Sequence, residues 1–134
     1  MKHWVSISST IVLAFVLTGC VTSEQVDAML ANATPATANE RRVITEYVRE
    51  TFKDPYSIRD AEISYFFVNS KGHRAGCISL NGKNSFGAYI GKREMGLQIA
   101  GGKLIIYAVQ DDISCKTMTN RGIRWQQFPE LEAL

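Results

Sequence analysis

The chain has 134 residues, enough for one domain, and its 46% apolar and 21% charged residues support a buried core. The formal net charge of +2 is too small to indicate nucleic-acid binding. The sequence contains no internal repeat and no phosphate-loop, zinc-site or dinucleotide-binding spacing. We therefore expect one small globular domain with no cofactor and no nucleic-acid partner.

The N-terminus has the pattern of a secretory signal. Met1-Lys2-His3 is a short basic start, and the apolar stretch that follows is densest at Ile11–Leu17. This stretch is shorter than the roughly 20 apolar residues that cross a bilayer. It matches the apolar region of a signal peptide, which is roughly 7–15 residues long. We therefore expect residues 1–19 to be a signal peptide.

The residues that end this segment indicate the type of signal. Leu17-Thr18-Gly19-Cys20 resembles the bacterial lipobox, in which small residues precede a cysteine. The resemblance implies cleavage before Cys20 and attachment of acyl chains, such as palmitate, to this residue; several chains anchor a protein stably. Val21 replaces the aspartate that commonly retains lipoproteins in the inner membrane, so the outer membrane is favoured. An ordinary signal peptide with a coincidental cysteine is the alternative.

One helix is predicted after a tether. Residues 20–37 are expected to be the lipidated N-terminus and a tether, in which Ser23–Ala31 has helical spacing and Pro35 interrupts it. Thr37 and Glu40 form a capping box, which predicts a helix over residues 38–53. Pro55 ends that helix. Its apolar stripe consists of Ile44, Tyr47, Val48, Thr51 and Phe52.

Strand patterns follow the helix. The predicted strands are Glu62–Val68, Ala75–Leu80, Ser85–Lys92 and Lys103–Gln110. Asn81-Gly82 is typical of a two-residue hairpin turn, and the unbroken apolar run of the last strand indicates a central strand covered on both faces. The tail Ile123–Leu134 is expected either to dock on the domain or to fray. The predicted domain, residues 38–134, is therefore α+β: an amphipathic helix packed on about four antiparallel strands.

The three cysteines predict a disulfide. If lipidation uses Cys20, Cys77 and Cys115 are the only partners for each other in an oxidising envelope. Their bridge would close a loop of about 38 residues and stabilise the fold by roughly 3–4 kcal/mol. Two buried reduced thiols or a redox pair are the alternatives.

A further resemblance covers about residues 38–95. Asp54-Pro55-Tyr56-Ser57, then Cys77, then N-G-K-N-S-F-G-A-Y-I-G at Asn81–Gly91 occur in one order. They resemble a group of small bacterial envelope proteins with the pattern D-P-x-S, C and N-x-K-N-S-[FY]-G-[GA]-Y-x-G. The resemblance implies an envelope domain and no particular activity. Members of the group usually carry an aromatic residue where this chain has Lys92-Arg93-Glu94-Met95.

Asn81–Gly91 is also the candidate binding surface. Its glycines would let a ligand approach the backbone closely. The alternative is that the glycines only bend a strand and the aromatic residues pack inward. Residues three apart on a strand point to opposite faces, so at most one of the two aromatic residues belongs to the core unless a bulge intervenes. The candidate side chains are Lys83, Asn84, Phe86 and Tyr89.

No catalytic or metal site is predicted. His73 has no triad-like context, and Asp111-Asp112 lacks the spacing of a calcium loop. We therefore expect a non-enzymatic, lipid-anchored envelope protein with a structural or protein-interaction role. Its expected partners are the membrane, through the acyl chains, and an envelope protein or glycan. A periplasmic binding or inhibitor module is the alternative, because S-F-G-A-Y loosely resembles the loop of lysozyme-inhibitor lipoproteins.

Overall fold

The structure is a computed structural model that describes residues 21–106 and 113–134. The predicted signal peptide, Cys20 and Asp111-Asp112 lie outside the described residues. The described helices are α1 (Ser23–Ala31), α2 (Ala38–Thr51), α3 (Ile113–Asn120) and α4 (Pro129–Glu132), with a 3-10 turn at Pro55–Ser57. The described strands are β1 (Arg59–Ser64), β2 (Phe67–Val68), β3 (Arg74–Asn81), β4 (Arg93–Ala100), β5 (Lys103–Ile106) and β6 (Trp125–Gln127).

The described strands form one antiparallel sheet, which confirms the α+β class. The sheet has six strands in the order β5-β4-β3-β1-β6, and β2 pairs with the first residues of β3. The expectation of about four strands is therefore wrong. The predicted strand Glu62–Val68 is divided into two, and the tail contributes β6.

The break between β1 and β2 has a local cause. The backbone N–H of Cys77 donates to Ser64 Oγ at 2.8 Å, so a side chain replaces a ladder partner where β1 ends. Beyond the break, Phe66 lies in the same buried cluster as Ile63 instead of alternating with it. A regular strand cannot place residues three apart on one face, so Ile63 and Phe66 share the main core because the strand is interrupted between them.

The predicted third strand is also wrong, since most of Ser85–Lys92 is loop and the next strand is β4. Along β4, Met95, Leu97 and Ile99 are buried, which is the alternation expected of a sheet with one face in the core. Asn81-Gly82 does not form a two-residue turn either. Asn81 pairs with Arg59 inside the sheet, and the connection continues to Lys92.

β5 occupies an edge of the described sheet, not its centre. Ile105 is 41% exposed, whereas Leu104 packs against the main core. An unbroken apolar run therefore did not mean burial on both faces here. Residues 107–110, the rest of that predicted strand, lie outside the described residues.

Apolar side chains cover the sheet on both faces. The main core consists of Ile44, Val48, Ile58, Ala61, Ile63, Phe66, Ile78, Leu80, Met95, Leu97, Ile99, Phe128 and Leu131. A second cluster consists of Ala33, Phe67, Ala75 and Ile123, with Met29, Leu30, Tyr65, Met118 and Trp125 packed against it. The two clusters draw on alternate residues of β3, as the pleat of a strand requires.

The segment predicted as a tether folds onto the domain. Met29 and Leu30 of α1 pack against the second cluster. Thr34 and Phe66 exchange backbone hydrogen bonds of 2.9 and 2.7 Å. The helix is thus held although it has no buried residue of its own.

The C-terminal tail docks, which answers the choice left open by the sequence. Phe128 and Leu131 are fully buried in the main core. The backbone N–H of Phe128 donates to Ala61 O at 2.8 Å. Arg41 on α2 forms two hydrogen bonds to the Glu130 carboxylate, at 2.7 and 2.8 Å.

A disulfide joins Cys77 to Cys115, as the sequence predicted. Cys77 lies on β3, and Cys115 lies on α3. Gly96 is the β4 partner of Cys77 in the register. Because glycine has no side chain, this position leaves room above β4 for α3 to approach the sheet.

Candidate functional site: a loop joined to the Asp54–Ser57 turn

The connection between β3 and β4, Gly82–Lys92, is called the β3–β4 loop here. It contacts the 3-10 turn at Pro55–Ser57 through Ser57. The backbone N–H of Lys83 donates to Ser57 Oγ at 2.9 Å, and the hydroxyl of Tyr89 donates to Ser57 O at 2.7 Å. The Ser57 hydroxyl itself donates to Asp54 O at 2.8 Å. The D-P-Y-S and N-G-K-N-S-F-G-A-Y-I-G segments, distant in sequence, therefore form one surface.

Asn84 organises the tip of the β3–β4 loop. Its side-chain oxygen accepts from the backbone N–H groups of Phe86 and Ala88, at 2.9 and 3.1 Å. Its own backbone N–H donates to Ala88 O at 2.9 Å. Gly87 has φ +75°, a conformation that glycine adopts without steric cost. The Asn84 side chain is thus committed to holding the turn.

Tyr89 closes the base of the loop. It forms an isolated antiparallel bridge with Lys83. The Arg59 guanidinium carbon lies 3.6 Å from the ring centroid of Tyr89, and Lys83 Nζ lies 5.7 Å from it. With its hydroxyl bonded to Ser57, this half-buried residue supports the loop and offers little free surface.

A β-bulge directs Arg59 onto Tyr89. Arg59 pairs with Asn81 and Glu62 pairs with Ser79, so β1 has one residue more than β3 over this interval. Asp60 takes the extra position with φ +54°, which aspartate tolerates better than most residues. Bulges bend a strand and redirect its side chains. The backbone geometry of the bulge therefore determines the position of Arg59, and no short sequence motif predicts it.

Phe86 is the exposed feature of the site. Its side chain is 93% exposed at the tip of the loop, and Tyr56 on the neighbouring turn is 74% exposed. Complete burial of a phenylalanine side chain is worth about 1.5–3 kcal/mol. The loop therefore presents an apolar group whose burial by a partner would be favourable.

Two lysines accompany the exposed aromatic residues. Lys53 Nζ donates to Ser85 Oγ at 3.2 Å. Lys83 follows Gly82 at the base of the loop and is exposed. Neither lysine forms an ion pair with a carboxylate of the described residues. Within the part of the chain that the structure describes, the surface around Phe86 thus combines apolar groups with two lysines that no carboxylate pairs.

All four residues proposed from the sequence lie in this loop, but their roles differ. Asn84 and Tyr89 hold the loop, whereas Phe86 and Lys83 face solvent. Sequence reasoning missed the contributions of Tyr56, Ser57 and Arg59. The D-P-x-S pattern was a sequence signal that could have indicated Tyr56 and Ser57. No sequence signal indicated Arg59. His73 lies in the turn before β3, at the opposite end of that strand from the loop.

No family model, curated protein or solved structure matches this chain. Within residues 21–106 and 113–134, no group of three His, Cys, Asp or Glu side chains is placed to hold a metal ion. None of the helices in those two ranges combines the length and apolar character needed to cross a bilayer.

Proposed function

We propose that this protein is a lipid-anchored component of the bacterial cell envelope that binds a partner protein through its β3–β4 loop. The observation that carries the proposal is Phe86, 93% exposed on a loop held by Asn84, Ser57 and Tyr89. A preorganised loop loses little conformational freedom on binding. Aromatic anchors that enter a partner's pocket supply much of the energy of protein interfaces.

The charge around Phe86 supports a particular partner chemistry. Lys53 and Lys83 are exposed and form no ion pair among the described residues. Opposite charge at the rim of an interface steers association and fixes its register. The proposed partner is therefore a protein with an apolar pocket for Phe86 and acidic side chains at the rim of that pocket.

The position of the loop favours a protein over the bilayer as its partner. α1 packs near Phe67 and Ala75, at the start of β3, whereas the loop follows Asn81 at the end of that strand. β3 is about 24 Å long at about 3.4 Å per residue. Only Val21 and Thr22 separate Cys20 from α1. An acylated Cys20 would hold the α1 end near the membrane, so the loop would extend into the aqueous space.

The loop is tested by crosslinking in living cells. A photoreactive phenylalanine derivative replaces Phe86 in the full chain, and the matched control carries it at Ile105, which is also exposed. We expect one abundant protein adduct at position 86 and none at position 105. Phe86→Ser should weaken binding of the captured partner at least about 10-fold, the effect of losing about 1.4 kcal/mol. Lipid adducts alone, or equal adducts at both positions, would overturn the loop proposal.

The anchor is tested with Cys20→Ser in the same strains. We expect the variant to remain unprocessed or to leave the membrane fraction, because several acyl chains provide stable attachment. Unchanged fractionation, together with a mass that differs only by the replacement of sulfur with oxygen, would refute lipidation. Crosslinking at Phe86 is read separately, so failure of the anchor and failure of the loop give different results.

An inhibitor of lysozyme is the alternative function. Glycosidase clefts contain a pair of carboxylates. Lys53 and Lys83 would form ion pairs with such acidic groups. Lysozyme activity should then fall when the purified protein is added, and Phe86→Ser should abolish the effect. Full activity at micromolar protein would remove this alternative and leave another protein as the partner.

A further inference from the structure

A cleft of about 400 Å³ lies on the face of the sheet that α3 covers. Cavities of about 300–1,000 Å³ are the usual size of small-molecule sites. The main core occupies the other face of the sheet. The charged, hydroxyl and aromatic side chains that line the cleft include Glu62, Ser79, Lys92, Glu94, Lys116 and Trp125.

Three of these side chains form a row across the sheet. Glu62 on β1 pairs with Ser79 on β3, and Ser79 pairs with Glu94 on β4. Residues paired in this way lie side by side and point to the same face. Neighbouring strands are about 4.8 Å apart, which puts the two glutamates about 10 Å apart at the backbone. The small serine between them leaves a hollow bordered by two carboxylates.

Glu94, which lines the cleft, carries an unused hydrogen-bond acceptor. Glu94 Oε2 is buried and has no hydrogen-bond partner among the described residues. A buried polar atom without a partner costs about 1–3 kcal/mol. The other carboxylate, that of Glu62, is already bound by Lys92 Nζ. A ligand that brings a donor to Glu94 would therefore gain a hydrogen bond that the described residues do not supply.

The opposite wall supplies a donor and an aromatic surface. Lys116 projects from α3 and is exposed, and Trp125 on β6 is partly buried against the second cluster. The carboxylates of Glu62 and Glu94 balance the ammonium groups of Lys92 and Lys116, so the cleft has no net charge to select an ion. It offers both donors and acceptors, together with an indole surface on which an apolar ring face can stack.

We propose that this cleft binds a neutral saccharide. Sugar hydroxyl groups both donate and accept hydrogen bonds, which matches a lining that mixes carboxylates with ammonium groups. The C–H face of a sugar ring matches the indole of Trp125. Within this arrangement Glu94 accepts from a hydroxyl, Lys116 donates to one, and Trp125 packs against the ring. The inference goes beyond the proposed function, because it needs neither the membrane anchor nor Phe86.

The disulfide maintains one wall of the cleft. Cys115 precedes Lys116 on α3, and Cys77 lies two residues before Ser79 on the same face of β3. The disulfide thus joins α3, which carries Lys116, to β3, which carries Ser79 at the floor of the cleft. We expect Cys77→Ala/Cys115→Ala protein, if it remains folded, to bind saccharide more weakly than the oxidised protein.

The test uses the full chain purified in detergent and a neutral N-acetylhexosamine tetrasaccharide. The chain has two tryptophans, Trp4 and Trp125, so removal of residues 1–19 would leave Trp125 as the fluorescence reporter of the cleft. If Trp4 is retained, a Trp4→Phe version provides the same readout. We expect saturable fluorescence change and heat of binding with the neutral saccharide, and at least 10-fold weaker binding for Glu94→Ala and Lys116→Ala.

Controls separate this inference from the loop proposal. Phe86→Ser should bind the saccharide like the unmodified protein, and circular dichroism checks that the cleft variants are folded. Tetrasaccharides of hexosamine, which is cationic, and of hexuronic acid, which is anionic, should bind at least 10-fold more weakly. Absence of binding by the unmodified protein, preference for a charged saccharide, or full affinity in folded Glu94→Ala and Lys116→Ala proteins would overturn the inference.

Discussion

The carboxylate of Glu40 links the start of α2 to Arg74 on β3. It accepts from the backbone N–H of Thr37 at 2.7 Å and from Arg74 Nε at 2.8 Å. Arg74 also donates to Phe66 O at 2.9 Å, which joins the start of α2 to the segment between β1 and β2. The sequence predicted the capping box, but it carried no sign of Arg74, which is 34 positions away along the chain.

The Glu40 contacts predict a pH dependence of stability. Burial raises the pKa of this carboxyl, but the Arg74 hydrogen bond, the Thr37 N–H and the Arg74 charge together lower the pKa below its ordinary value of 4.5. A folded-state pKa below the unfolded one means that the stabilisation is fully present above about pH 4.5 and is lost as the pH falls through the folded pKa. Glu40→Gln should therefore lower the free energy of unfolding at pH 7, and the difference from the unmodified protein should shrink in acid.

Urea denaturation between about pH 3 and pH 7 measures this difference. Glu46→Gln is the control, because the exposed Arg42–Glu46 pair should contribute less than about 0.5 kcal/mol. The pKa of Glu130 is also lowered, chiefly by its hydrogen bond from Arg41. Both proteins contain Glu130, so the difference between their free energies of unfolding cancels the Glu130 contribution. A Glu40→Gln effect that does not change with pH would contradict the prediction.

At the scale of elements, the break between β1 and β2 shapes the main core. It lets the Phe66 ring cross β3 at Gly76, where a Cβ atom would lie 1.7 Å from Phe66 Cδ1. Phe66 is fully buried and cannot move aside cheaply. The absence of a side chain at position 76 is therefore a packing requirement.

Gly76→Ala should destabilise the protein by about 1–3 kcal/mol, the usual cost of overpacking a core. Gly76→Ala/Phe66→Ala should cost less than the sum of the single substitutions, because removal of the ring removes the clash. Chemical denaturation of the four proteins gives this coupling. Gly82→Ala is the control for the loss of glycine, since Gly82 is not among the glycines with positive φ and the nearest atoms to a Cβ there lie 3.8 and 3.9 Å away. Additivity within about 0.5 kcal/mol would show that the two positions are independent.

At the scale of the whole molecule, the disulfide connects a central strand with the helix on one face of the sheet. It spans 38 positions, and the enclosed segment includes β4 and β5. Constraint of the unfolded chain by a loop of this length stabilises a protein by about 3–4 kcal/mol. That is a large part of the total of about 5–15 kcal/mol for a domain.

Cys77→Ala/Cys115→Ala should lower the free energy of unfolding by about 3–4 kcal/mol. Reduction of the disulfide should lower the free energy of unfolding of the unmodified protein by a similar amount. The same reducing conditions should leave the free energy of unfolding of the double variant unchanged. Cys20→Ser should retain the sensitivity to reductant, because its disulfide cysteines are intact. Equal urea midpoints for the oxidised and reduced unmodified protein would contradict the prediction.

Local patterns in the sequence were sufficient to predict α2 and the pairing of Cys77 with Cys115. A capping box, helical spacing and a count of cysteines each depend on neighbouring residues or on composition. They could not predict that Ser57 joins the β3–β4 loop, that β5 lies at an edge, or that Glu62, Ser79 and Glu94 form a row. Those features depend on strand order, on the bulge at Asp60 and on register. Only tertiary packing decides them, because a shift of one residue along a strand would turn every side chain to the other face.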